Sequence, residues 1–390
     1  MSDLLFANAR VVGPNGLWPG ALAVTGGRIE ACIALGDTVP SAGRVIDLEG
    51  AYLAPGFIDL HIHGAAGADV LTANESELDA FSEWLAQRGV TRLVPTLVPV
   101  PLPEYRAAVV RLSAWIERAR SGAAPGAVPV GIHFEGPFVN AARCGALHRP
   151  HFLGAGQRSA FFEAIDAGRA ATSIRVVTIA PEIEGGLDLI RDAVQRGFVV
   201  SIGHTEASLA QLDEALAAGA RHMTHLANAM PAIHHRDPGP IVWGLVRSDV
   251  TVDVIADLRH LHPEMLRLVF NAKGARGVAL ISDAIAPAGL GDGTFSVWGE
   301  EIRVAGGTTS NAAGTIAGSV ISLADAVANM VGLGLPIADA VRMASAVPAR
   351  VLGLHGLGEI AEGNIADLVA FGDDLVPRLT VVAGKCVGGD

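Results

Sequence analysis

Lysine is almost missing from this 390-residue chain: Lys273 and Lys385 are the only two. Acidic residues number 40 against 28 basic ones, a net charge of −12. Non-specific nucleic-acid binding needs a positive footprint, so no nucleic-acid partner is expected. Cysteine is as scarce: Cys32, Cys144 and Cys386 are too few and too far apart for a disulfide framework or a thiolate zinc site. That fits a reducing, cytoplasmic setting. Charged residues make up 17% of the chain, too few for a solvating, disordered polymer. No apolar run approaches the ~20 residues that span a bilayer, so no membrane partner is expected. The opening MSDLLFANARVVG lacks the basic start and apolar stretch of a signal peptide.

Apolar residues, in contrast, make up half of the chain, enough for a sizeable core. Residues 1–55 read as short strands, with LLFANARVV, LAVTGGRIEACIAL and RVIDLEGAYLAPG parted by GPNG, TGG and SAG. From Gly56 the pattern alternates strand and helix. GFIDLHIHG precedes a helix with Leu78, Phe81, Trp84 and Leu85 on one face and Gly89 as its stop. Eight such units follow one another, which predicts a closed (β/α)8 barrel over 56–354 rather than an open doubly wound sheet. Residues 355–390 return to strand and turn character. The two β-rich ends, 1–55 and 355–390, are expected to form one small β-sandwich domain.

Polar residues fall at the C-terminal ends of the predicted strands: His61 and His63 on strand 1, Glu135 on strand 3, His204 on strand 5, His225 on strand 6 and Asp283 on strand 8. Barrel active sites lie at that end. A strict two-residue period puts Phe57, Asp59, His61 and His63 on one face and turns Ile58, Leu60 and Ile62 towards the helices. Each residue alone has a plainer use. An H-x-H pair is weak evidence, and His260/His262 is a second one. Glu135 could cap a turn, Asp283 could cap a helix, and His204 and His225 could be core histidines. Their shared position at strand ends of one polarity favours a joint site. Imidazoles and carboxylates without thiolates suit Zn²⁺, Fe²⁺, Mn²⁺ or Co²⁺. Two ions could share Glu135, or one ion could take Glu135, His204, His225 and water.

LAPGFIDLHIHG, HFEGPF, GHT, MTHLANAM, ISDA, IAGS and GEIAEGNIADLVAF together resemble the amidohydrolase superfamily and, within it, the N-acetylglucosamine-6-phosphate deacetylase family. The resemblance spans nearly the whole chain. It implies a metal-dependent hydrolase that converts N-acetyl-D-glucosamine 6-phosphate into D-glucosamine 6-phosphate and acetate. N-acetylgalactosamine 6-phosphate and other N-acyl substrates are the alternatives. It also implies a metal site of Glu135, His204 and His225, with His61 and His63 able to hold a second ion, zinc foremost. Asp283 takes the acid/base role. Asn228, Ala229 and His260 are implied sugar-phosphate contacts, and Arg236 grips the phosphate, in a homodimer from the neighbouring subunit. His148 is one residue beyond the position of a substrate histidine, where Leu147 stands. Leu258 and Arg259 depart from the family's pattern before His260, and Ala227 replaces an aromatic. A non-catalytic scaffold would be expected to lose its ligands, and these are all present.

Overall fold

Eight parallel strands, each followed by a helix, wind around a common axis in the computed structural model, which describes residues 1–167 and 174–387. The strands are β1 (Phe57–Ile62), β2 (Val90–Leu97), β3 (Gly131–Glu135), β4 (Ile174–Ile179), β5 (Val199–Ile202), β6 (His222–Met223), β7 (Thr251–Ile255) and β8 (Val278–Ile281). The helices are α1 (Glu75–Ala86), α2 (Leu102–Arg120), α3 (Arg158–Asp166), α4 (Gly186–Gln195), α5 (Leu209–Ala217), α6 (Gly239–Val246), α7 (Pro263–Lys273) and α8 (Leu323–Gly332). Each strand pairs with the next from β1 to β8. Backbone bonds from Asp283 N to His61 O (2.9 Å) and from His63 N to Ala284 O (2.8 Å) bring the end of β8 back to β1. The alternation read from the sequence is thus a nearly closed barrel.

Local chemistry accounts for the helices. Asn74 caps α1 in a reciprocal box with Glu77, and Leu78, Phe81 and Leu85 bury its inner face. Ser208 and Ser322 build the same box on α5 and α8. Each large apolar side chain so buried contributes about 1.5–3 kcal/mol.

The interior of the barrel corrects one expectation. Ile58 and Leu60 of β1 share a cluster with Val94, Val176, Ile255, Ala279 and Ile281. Only the inside of the barrel brings residues of β1, β2, β4, β7 and β8 together. Val347 and Ala349, from a helix at Ala346–Val351, plug its N-terminal mouth. Phe57 and Ile62 instead join the outer cluster with Leu78, Phe81 and Leu85. Asp59 pairs with Leu93, another outer residue. The β1–β2 register shifts between Asp59 and Ile62. That irregularity turns the strand over, so Leu60, His61 and His63 all point inwards, and neither Phe57 nor Asp59 shares the histidines' face.

The chain ends form a separate eight-stranded sheet from residues 2–55 and 368–387. Its first strand, Ser2–Gly13, pairs with Ala42–Asp47 along one half and with Tyr52–Pro55 along the other. The sheet closes around Phe6, Val11, Leu22, Leu53, Leu368 and Val381. Residues 388–390 of the expected C-terminal segment lie outside the described residues. After β8, the glycine-rich stretch forms a small antiparallel sheet of Gly293–Val297, Glu300–Ala305 and Thr308–Ser310. Among the described residues no helix is long and apolar enough to cross a membrane.

Candidate active site and metal centre

Glu135 ends β3 in the middle of the C-terminal mouth. Its Oε1 lies 2.9 Å from His204 Nε2 and 3.0 Å from His225 Nε2. Its Oε2 lies 3.4 Å from His63 Nε2 and 3.7 Å from His61 Nε2. Asp283 Oδ1 approaches the strand-1 pair from the other side, 3.4 Å from His61 and 3.3 Å from His63. All six side chains are buried. The backbone is bent to bring them there: His204, His225 and Asp283 have φ of 48°, 33° and 49°. Non-glycine residues held in that region cost about 1–3 kcal/mol each and cluster at functional sites.

The donor set fits divalent ions. Potential ligand atoms of His61, His63 and Glu135, and of Glu135, His204 and His225, lie within 4.8 Å of one another. His63 Nδ1 meets Thr96 O at 3.0 Å and His204 Nδ1 meets Arg143 O at 2.8 Å. A ring that donates Nδ1–H to a carbonyl presents its Nε2 lone pair to the cluster, as metal-ligating histidines do. The local field also favours a cation. Burial alone would lower the His63 imidazole, but its bonds to Asp283 and Glu135 push it up to about 10. His225 rises against its own burial to about 9, chiefly through Glu135. Burial would raise Glu135, yet the His61 charge and the bonds from His204 and His225 hold it well below the usual carboxylate range. Asp283 is lowered in the same way: burial opposes the shift, and the His63 bond with the His61 and His63 charges outweighs it.

A cavity of about 290 Å³ opens over the cluster. Asn228, Ala229 and His260 line it beside His63, Glu135, His204, His225 and Asp283. Asn228 Nδ2 is buried without a protein partner among the described residues and so is available to a ligand. His260 is held by Asp257, whose Oδ2 lies 2.7 Å from Nδ1. Leu258, in the departing segment, keeps φ 61°, a backbone that favours glycine. Two expected substrate residues lie elsewhere. His148 turns away to Glu300 Oε1, at 2.9 Å, and lines a neighbouring cavity, while Leu147 lines this one. Arg236 is exposed, with Nη1 2.9 Å from His235 Nε2, and does not line the cavity of its own chain.

Further residues that no motif marks support the cluster. Asp253 Oδ1 accepts from His225 N and its Oδ2 lies 2.9 Å from His222 Nε2, so it positions the His225 backbone. Alternation in TVDVI, with a carboxylate inside a buried strand, was the available signal. His133 lies two residues before Glu135, on the same face of β3, and its Nε2 meets Thr178 Oγ1 at 2.8 Å. Burial and the nearby His61 push it well below its ordinary pKa, so it is neutral. Trp298 lays its ring edge-on to His63, with centroids 5.0 Å apart.

A barrel with two histidine pairs around one carboxylate, and an aspartate at the end of β8, defines a metal-dependent hydrolase. The amidohydrolase family pattern matches residues 52–387, and the chain belongs to that family. It is 36% identical over 360 residues to the N-acetylgalactosamine-6-phosphate deacetylase of Escherichia coli O157:H7, covering 91% of this chain and 92% of that one. It is 35% identical over 337 residues to the N-acetylglucosamine-6-phosphate deacetylase of Bacillus subtilis (strain 168), covering 85% and 84%. The solved structure of an N-acetyl-D-glucosamine-6-phosphate deacetylase mutant from Mycobacterium smegmatis, in complex with N-acetyl-D-glucosamine-6-phosphate, matches with a TM-score of 0.88 at 34% identity over 99% of this chain and 100% of that one.

Proposed function

We propose that this hydrolase removes the acetyl group of N-acetyl-D-glucosamine 6-phosphate, releasing acetate and D-glucosamine 6-phosphate. The observation that carries the reading is Glu135, shared between two histidine pairs and faced by Asp283, under a cavity with a free Asn228 amide. Relatives in both epimer series leave the galactosamine epimer as the second reading.

Glu135, His204 and His225 would hold one divalent ion, zinc foremost, and His61 and His63 with Glu135 a second. Such an ion polarises a carbonyl and lowers the pKa of water to about 7. Asp283 accepts a proton from the attacking water as the carbon–oxygen bond forms. It then gives that proton to the amide nitrogen as the carbon–nitrogen bond breaks, so the amine leaves uncharged. His260 and Asn228 orient the sugar phosphate, and remote binding energy of this kind places the amide. Arg236, exposed and outside its own cavity, suits the neighbouring subunit's phosphate in a homodimer, since a guanidinium fork matches phosphate oxygens. The catalytic unit is 56–354, and three unpaired thiols agree with a cytoplasmic setting.

The test is acetate release by metal-analysed protein from N-acetylglucosamine 6-phosphate, its galactosamine epimer and unphosphorylated N-acetylglucosamine. Turnover that requires the phosphate is expected, and the epimer ratio names the sugar. A metal-loaded protein inert towards all three would overturn the reading.

A further inference from the structure

We propose that Trp298 sets the acyl-chain limit of this enzyme, by walling the acyl end of the reaction cavity off from a second cavity behind it. The proposal rests on the deacetylase reading above.

The reaction cavity has two chemically different ends. Asn228 and His260 make one end polar, suited to a sugar phosphate. Ala146, Leu147 and Trp298 make the other apolar. The carbonyl carbon of the substrate carries two groups, a nitrogen that bears the polar sugar and an apolar acyl chain. With the carbonyl beside Asp283 and the histidines, the acyl chain faces the apolar end. The same Ala146, Leu147 and Trp298 line a second cavity of about 460 Å³, which runs on past Leu71, Val98 and Val100 to the polar side chains of Asp69, Glu77, Glu104 and His151. These three residues therefore form the boundary that the two cavities share.

Trp298 is placed there against local preference. It occupies the turn between Gly293–Val297 and Glu300–Ala305, with φ 52° at Trp298 and 80° at Gly299. A two-residue turn with both φ positive favours Asn, Asp or Gly, and a bulky side chain rarely adopts it. The placement is latched from outside: Glu300, the first residue after the turn, meets His148 of the loop after β3 at 2.9 Å. Inside, the indole meets the His63 ring edge-on. An acetyl methyl fits before such a wall, whereas each further methylene must displace the indole. One methylene changes discrimination by roughly 10–200-fold in an apolar pocket.

The experiment compares kcat/KM for N-acetyl-, N-propanoyl- and N-butanoyl-glucosamine 6-phosphate in the wild type, Trp298→Ala and Trp298→Phe. The wild type should disfavour the butanoyl sugar by about 100-fold or more. Trp298→Ala should narrow that ratio at least about tenfold, and Trp298→Phe by less. Leu147→Ala thins the same wall from the opposite loop and should move the ratio in the same direction, which covers a Trp298→Ala protein that fails to fold. An active wild type that accepts butanoyl as readily as acetyl, or an unchanged ratio in the variants, overturns the wall alone. A wild type inert to all three sugars is assayed with the N-acetyl-, N-propanoyl- and N-butanoyl-galactosamine 6-phosphates, and inertness to both series overturns the deacetylase reading and with it the wall's role.

Discussion

Glu135 divides its two oxygens between two histidine pairs, and Asp283 faces only the strand-1 pair. The two carboxylates therefore predict different losses. Glu135→Gln keeps the shape but removes the charge that both pairs share. It should lower bound metal as well as turnover, read by elemental analysis beside acetate release. Asp283→Asn removes only a proton carrier. It should leave the metal content unchanged and lower kcat by about 10²–10⁴-fold, the range for general acid–base groups. Equal metal loss in both variants would assign Asp283 to ion binding instead. The positive φ of Asp283, like those of His204 and His225, is a backbone cost of placing the side chain at the site.

At the level of elements, what was legible in the sequence was local. The helical face of Leu78, Phe81 and Leu85, the stop at Gly89 and the eightfold alternation are encoded within a few residues of each other. The face of β1 was not, because a register shift against β2 leaves no mark in the apolar pattern of FIDLHIHG itself. The partner of His148 is not legible either: a spacing places a histidine near the site but does not show its contact with Glu300. The last turn of α7 carries a cost that the sequence also hides. Lys273 is half-buried and donates to Arg247 O, and burial lowers its ammonium to about 8 despite the opposing charge of Asp249. Between that value and an unfolded pKa of about 10.4, the unfolded chain binds more protons than the folded one, so stability rises with pH across the window. Lys273→Met removes this titration. Thermal melts should show wild type gaining on the variant from pH 8 to 10, with no relative change between pH 6 and 7. A gap that stays constant across pH 8–10 would mean that the amine is not desolvated.

At the scale of the whole molecule, the barrel and the terminal sheet are joined by a buried ion pair that no local pattern foretells, since its partners are 275 residues apart. Arg92, on β2, donates Nε to Asp367 Oδ2 at 2.6 Å and Nη2 to Asp367 Oδ1 at 3.0 Å. Asp367 Oδ1 also accepts from Ala383 N at 2.7 Å, and Asp367 O accepts from Gly56 N at 2.8 Å, just before β1. One residue thus holds the entry to the barrel, the arginine of β2 and the turn of the C-terminal hairpin. The net worth of such a pair is small, because desolvation offsets attraction, but an unpaired buried charge is costly. Asp367→Ala strands the Arg92 guanidinium and should destabilise the fold by about 3–5 kcal/mol, read as a fall in the urea midpoint. The paired change Arg92→Met with Asp367→Ala removes the stranded charge and should recover a large part of that loss. Acetate release by the folded double variant should stay near wild type, because neither residue lines the cavity. If the double variant is as unstable as Asp367→Ala, the loss comes from the Ala383 N–H left without its Asp367 acceptor inside the terminal sheet, and not from the stranded charge.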